Sequence, residues 1–239
     1  MDIKNFLKEM KKIQTNLIDY LDHEDNKGEK YQNLINLFDE IKIHGDHMKI
    51  KPLLYLILNI SNNCHRKSEF LGKIFSILQI FKDEMKKYFS NIELFHIFKS
   101  NKIILLILFE KQILRMDKTI CNYISQKCDS SYLIFFQPEI KSVNLTENIK
   151  KEPLPDNFEF FRHIGENESY ICQLIRDDSI EEFISYATKT NLDLSLTIRK
   201  SAYESNPLFL RKDPSLIEYA AFYGSIQIFR FLRLSDVEI

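Results

Sequence analysis

Apolar residues recur at spacings of three and four along much of the chain. Ile3, Phe6, Leu7, Met10, Ile13, Leu17 and Leu21 form the first such stripe, the mark of an amphipathic helix with one face on a core. "EDNKGE" closes it at Gly28. Tyr31, Leu34, Ile35, Leu37, Phe38 and Ile41 give a second helix, which "HGDH" stops at Gly45. A third helix is expected through the fifties, with Pro52 in its first turn, where a missing N–H is tolerated. After the polar "SNNCHRKSE", a long fourth stripe runs from Phe70 to Phe89. A short fifth follows at Leu94–Phe98, a sixth across 102–113 and a seventh from Asp117. Five glycines and six prolines leave long segments unpunctuated, which favours helices. The β-branched residues of Ile103–Phe109 leave a strand as the weaker alternative there, with no hairpin turn nearby.

Residues 131–157 change character. Pro138, Pro153 and Pro155 interrupt the pattern, with space for one short helix. The predicted organisation is all-α: an N-terminal helical array over 1–136, a proline-containing connector over 137–157, and pairs of short helices over 158–239. Neighbouring helices on short connections pack antiparallel.

The clearest pair is "DPSLIEYAAFYGSIQIFRFL", Asp213–Leu232. Asp213 is expected to cap its first helix, with Pro214 in the first turn. Ile217, Ala220 and Ala221 share a face, Gly224 suits a left-handed turn, Ser225 caps the next helix, and Ile226, Phe229, Phe231 and Leu232 form its apolar side. Shifted by 46 residues, Tyr170–Ala187 carries the same pattern. Ile171, Asp178, Ser179, Ile180 and Phe183 then meet Ile217, Gly224, Ser225, Ile226 and Phe229. Aspartate tolerates the left-handed conformation, and Ser179 with Glu182 spells a capping box. A short helix pair cannot bury its own faces, so it needs neighbours, which is the logic of an α-solenoid repeat.

These residues resemble the ankyrin-repeat pattern, in which two alanines precede a glycine. Ala220, Ala221 and Gly224 match it, Ile217 and Glu218 replace its leucine and histidine, and its threonine–proline pair is absent. The upstream copy replaces the alanines by Leu174 and Ile175 and is separated by about a dozen extra residues within "SLTIRKSAYESNPLFLRK". The wording also resembles the DUF3447 family of divergent ankyrin-like proteins. "NLIDYLDHEDN", "KKYFSN", "FKSNK" and "PEIKS" are similar to the helical leader of its members. Membership implies an interaction scaffold and no reaction.

The formal net charge of -1 argues against a dedicated nucleic-acid or membrane-surface protein. Residues 61–130 nevertheless carry twelve Lys/Arg against seven Asp/Glu. A nucleic-acid-binding module is therefore the alternative function, with Lys82, Lys86 and Lys87 on phosphate. The N-terminus has no apolar signal region and the apolar runs are too short to span a bilayer. Four scattered cysteines fit a reduced chain, so the expected location is cytoplasmic. Cys121 and Cys128, seven apart, are expected on one core face.

No catalytic residue, metal site or cofactor site is expected. His44, Asp46 and His47 lack a further ligand, Cys64–His65 lacks zinc spacing, and the glycines are too dispersed for a phosphate loop. The expected function is non-enzymatic recognition of a partner protein through stacked hairpins. Tyr219, Phe222 and Tyr223 are the candidate partner contacts. Only "RLSDVEI" follows Leu232, so an exposed apolar edge around Ile226–Leu232, self-association through it, or a shortened member of a longer repeat family is expected.

Overall fold

The structure is a computed structural model that describes residues 3–22, 28–63, 69–143 and 154–235. Cys64, His65 and Pro153 lie outside the described residues. Within them the chain is all-α, with an isolated bridge between Thr197 and Ser215. It divides into two units, 1–115 and 116–239.

The first unit holds α1 (Ile3–Asp22), α2 (Glu29–Glu40), α3 (His47–Asn63), α4 (Phe70–Ile80), α5 (Lys82–Tyr88), α6 (Asn91–Phe98) and α7 (Lys102–Glu110). α1 packs on α2, α3 and α4, while α3 also meets α5 and α6. The apolar stripes turn inward, burying Ile13, Leu17, Leu34, Phe38, Leu54, Ile57, Phe95 and Leu105. Each large side chain so covered contributes roughly 1.5–3 kcal/mol. Ile103–Phe109 is helical, so the strand alternative falls. Two boundaries differ from expectation. The Asp46 carboxylate accepts the Met48 amide at 3.0 Å and starts α3 early, which leaves Pro52 inside the helix rather than in its first turn. The Phe70–Phe89 stripe breaks at Phe81, whose fully buried ring meets Phe38 edge-on at 5.2 Å, so α4 and α5 are separate helices.

The second unit holds α8 (Lys118–Lys127), α9 (Ser130–Phe135), α10 (Gln137–Ser142), α11 (Phe158–Ile164), α12 (Tyr170–Arg176), α13 (Ile180–Thr190), α14 (Pro207–Arg211), α15 (Leu216–Tyr223) and α16 (Ile226–Leu234). Asp117 caps α8 through the Ile120 amide. Cys121 is buried on α8, but Cys128 follows the helix end and is only half-buried. Pro138 starts α10 rather than breaking a helix. Arg162 of α11 is buried between the rings of Phe135 and Phe158 and donates to Glu139 at 2.8 and 3.0 Å. α10 and α11 are therefore joined by one desolvated ion pair. Removing one partner of such a pair leaves an uncompensated buried charge.

Candidate functional site

Two helix pairs build the C-terminal core. α12 lies against α15 and α13 against α16. The turns inside the pairs match under the 46-residue shift. Ser179 N donates to Leu174 O and Ser225 N to Ala220 O, both at 3.0 Å. The left-handed position between the helices is Asp178 at φ 49° in one turn and Gly224 at φ 69° in the other. Cys172, Leu174, Ile175, Phe183, Ile217, Ala220, Ile228 and Leu232 are buried between the pairs, while Ile171, Ile180, Phe229 and Phe231 are half-buried against them.

Side chains stitch the pairs together in a way the sequence pattern did not reveal. The Asp178 carboxylate accepts the Gln227 amide at 3.1 Å and the Ile228 amide at 3.0 Å, so it caps α16 from the neighbouring pair. Ser225 makes no side-chain cap on α16; its hydroxyl donates to the Ile175 carbonyl. Ser179 also makes no capping bond, and the expected box with Glu182 is absent. At α15 the cap is Ser215 rather than Asp213. Ser215 and Glu218 bond each other's backbone amides reciprocally. Glu218 also takes a 2.6 Å bond from Lys212, and this bond first, with that from the Ser215 amide, holds its pKa below the usual carboxylate value. That box restrains the turn that opens α15.

The expected aromatic contacts divide. Tyr219 is 1% exposed and belongs to the core, which removes it as a partner contact. Arg176 donates to its hydroxyl at 2.9 Å, pairs with Glu166 at 2.9 Å and donates to the Asn167 carbonyl. Burial drives the Tyr219 phenol far above its ordinary pKa, and burial likewise pushes the Cys172 thiol up to about 11. Phe222 and Tyr223 are half-buried and pack on Phe209 of α14, at 4.8 and 6.2 Å between ring centres. The residues inserted between the pairs are anchored: Asn167 donates to Arg199 O, Ser201 bonds Glu168, and Ser205 bonds Gly165 O.

On the far side of α15–α16 the two helices enclose an open groove of about 370 Å³. Ala220, Ala221 and Gly224 form its floor, and Ile226, Phe229, Arg230 and Arg233 form its wall. Ile226 is 58% exposed, whereas Ile228 and Leu232 are buried. The expected apolar edge is therefore narrower than Ile226–Leu232 and carries two cations. Arg230 and Arg233 lie off the apolar stripe of α16, so the pattern of apolar positions gives no sign of them.

Elsewhere the chemistry-bearing residues are occupied or dispersed. His44 bonds Glu84 at 2.7 Å and stacks on Phe81, while His47 packs on Tyr88 and Phe89. Among the described residues no group of three or more His, Cys, Asp and Glu is placed to hold a metal. In the basic segment, Lys73 donates to Tyr20 O, Lys111 lies over Phe75, Lys87 lies over Tyr88, and Lys102 is fully buried. Lys86 is exposed and Lys82 half-buried. Among the described residues no helix is long and apolar enough to cross a membrane. No protein-family model, curated protein or solved structure matches the chain.

Proposed function

We propose that this protein is a non-enzymatic recognition protein of the cytoplasm that binds a partner protein through stacked helix pairs of divergent ankyrin, DUF3447-like, type. The observation that carries the reading is the pairing of α12 with α15 and α13 with α16 around equivalent left-handed turns. Helix pairs stacked in this way leave a further face of the same kind available to another chain. The groove beside Ala221, Ile226 and Phe229 is such a face. Cys121, Cys128 and Cys172 form no disulfide among the described residues, in keeping with a reducing compartment. The alternative, phosphate binding through the basic segment, has weaker support, since several of its lysines serve internal contacts.

The test is affinity capture from source-cell lysate, with and without nuclease treatment, on the full chain, in parallel with Ile226→Lys. Saturable retention of a protein by the parent chain and its loss from the variant are expected. Retention of nucleic acid alone, released by moderate salt, contradicts the reading.

A further inference from the structure

We propose that the open face of α15–α16 is a groove for an acidic amphipathic helix of a partner protein. This deepens the protein-recognition reading and rests on it.

The molecule contains its own precedent. The face of α12–α13 equivalent to the groove is covered by α15–α16. There Asp178 receives the Gln227 and Ile228 amides, Ile175 O receives the Ser225 hydroxyl, and Phe183 meets Phe231 at 6.1 Å between ring centres. A face of this build accepts helices. Its floor is suited to close approach, because Ala221 and Gly224 are small and exposed. Nothing lies within 4 Å of where a Gly224 Cβ would stand.

The charge of the open face is reversed relative to the covered one. Gly224 stands where the covered face has Asp178, and Arg230 and Arg233 stand where α13 has Ile184, at the exposed rim of that face, and half-buried Ala187. The carboxylate that caps a neighbouring helix is gone, and two guanidinium groups have arrived. Both arginines are exposed, and neither has a hydrogen-bond or ion-pair partner among the described residues. Glu218, the acid on α15, is engaged by Lys212 and the Ser215 amide. Another helix pair like α15–α16 would bring amides to a position that no longer holds a carboxylate. It would also leave the arginines unanswered.

A second copy joined symmetrically through this face brings Arg230 and Arg233 toward their own counterparts, and like charges at an interface disfavour it. An incoming helix with small and apolar side chains on one face, flanked by Glu or Asp, satisfies the groove. The apolar stripe covers Ile226 and Phe229. The carboxylates, spaced three or four residues apart, meet two arginines spaced three apart on α16.

The test uses the full chain and a fluorescein-labelled Ala/Leu-striped peptide of about 18 residues. Three versions carry Glu, Gln or Lys at the flanking positions, and binding is read by fluorescence anisotropy. The expected result is saturable binding of the Glu peptide, weakening as salt rises. Arg230→Glu with Arg233→Glu is expected to reduce it by about tenfold or more and to favour the Lys peptide. Circular dichroism checks that this exposed double variant retains its helix content, and Ala221→Trp is expected to block the groove without changing its charge. Equal binding of the Glu and Gln peptides overturns the proposal, as does no saturable binding of the Glu peptide below about 1 mM. A dimer seen by light scattering that Ile226→Lys dissociates overturns it in favour of a second copy. Peptide failure with Ile226-dependent capture from lysate sinks this inference and leaves protein recognition standing; failure of both sinks both.

Discussion

Asp178 does two jobs that rarely coincide. Its backbone takes the left-handed turn at φ 49°, and its carboxylate caps the first amides of α16. Asp178→Gly keeps the turn and deletes the cap, so unfolding by urea should show a loss of about 1–2 kcal/mol. Asp178→Asn, which retains an acceptor, should lose less; equal losses would mean that an uncharged acceptor there contributes nothing, and no loss in Asp178→Gly would mean that the cap itself adds nothing. The sequence revealed the turn, because aspartate aligns with glycine, but not the cap, because its recipients lie 49 and 50 positions away. Tyr219 teaches the same lesson. Its place beside the alanine pair suggested a surface anchor, yet Arg176, 43 positions upstream, draws its hydroxyl inside. Cys172 supplies a pH test. Its folded pKa is raised to about 11 from the reference 9.0, so burial stabilises the fold fully below pH 9. That contribution is lost as pH rises through 9 toward 11, because only the unfolded thiol ionises readily there. Site-resolved alkylation on the native chain should therefore modify half-buried Cys128 well before Cys172. Equal rates would contradict the burial of Cys172.

At the scale of helices, periodicity found most elements and misjudged where some stop. A stripe persists through a bend when residues on both sides face one core, as Ile77 and Met85 do around Phe81. Caps decided several boundaries: Asp46 set α3 ahead of Pro52, and Ser215 with Glu218 set α15 behind Pro214. The two C-terminal pairs were legible because apolar and turn positions repeat at one shift. The charged wall of the groove was not, because Arg230 and Arg233 interrupt no apolar stripe. The contact between pairs can be weighed directly. Phe183 is fully buried and meets Phe231. Phe183→Ala should cost about 3–5 kcal/mol in equilibrium unfolding. A cost below about 1 kcal/mol would mean that the pairs do not rely on this packing.

At the scale of the whole molecule, two stacked helix pairs are proposed to end in a recognition face. The first unit contributes a conventional buried helical core, and several of its basic residues are engaged within it. The most direct measurement is photo-crosslinking in source cells with a benzophenone amino acid at position 226 or at exposed Tyr55 of α3. A discrete protein adduct is expected from position 226 that disappears when Arg230 and Arg233 are reversed to Glu, and none from position 55. Adducts of equal yield from both positions, or adducts to nucleic acid alone, would contradict the proposal.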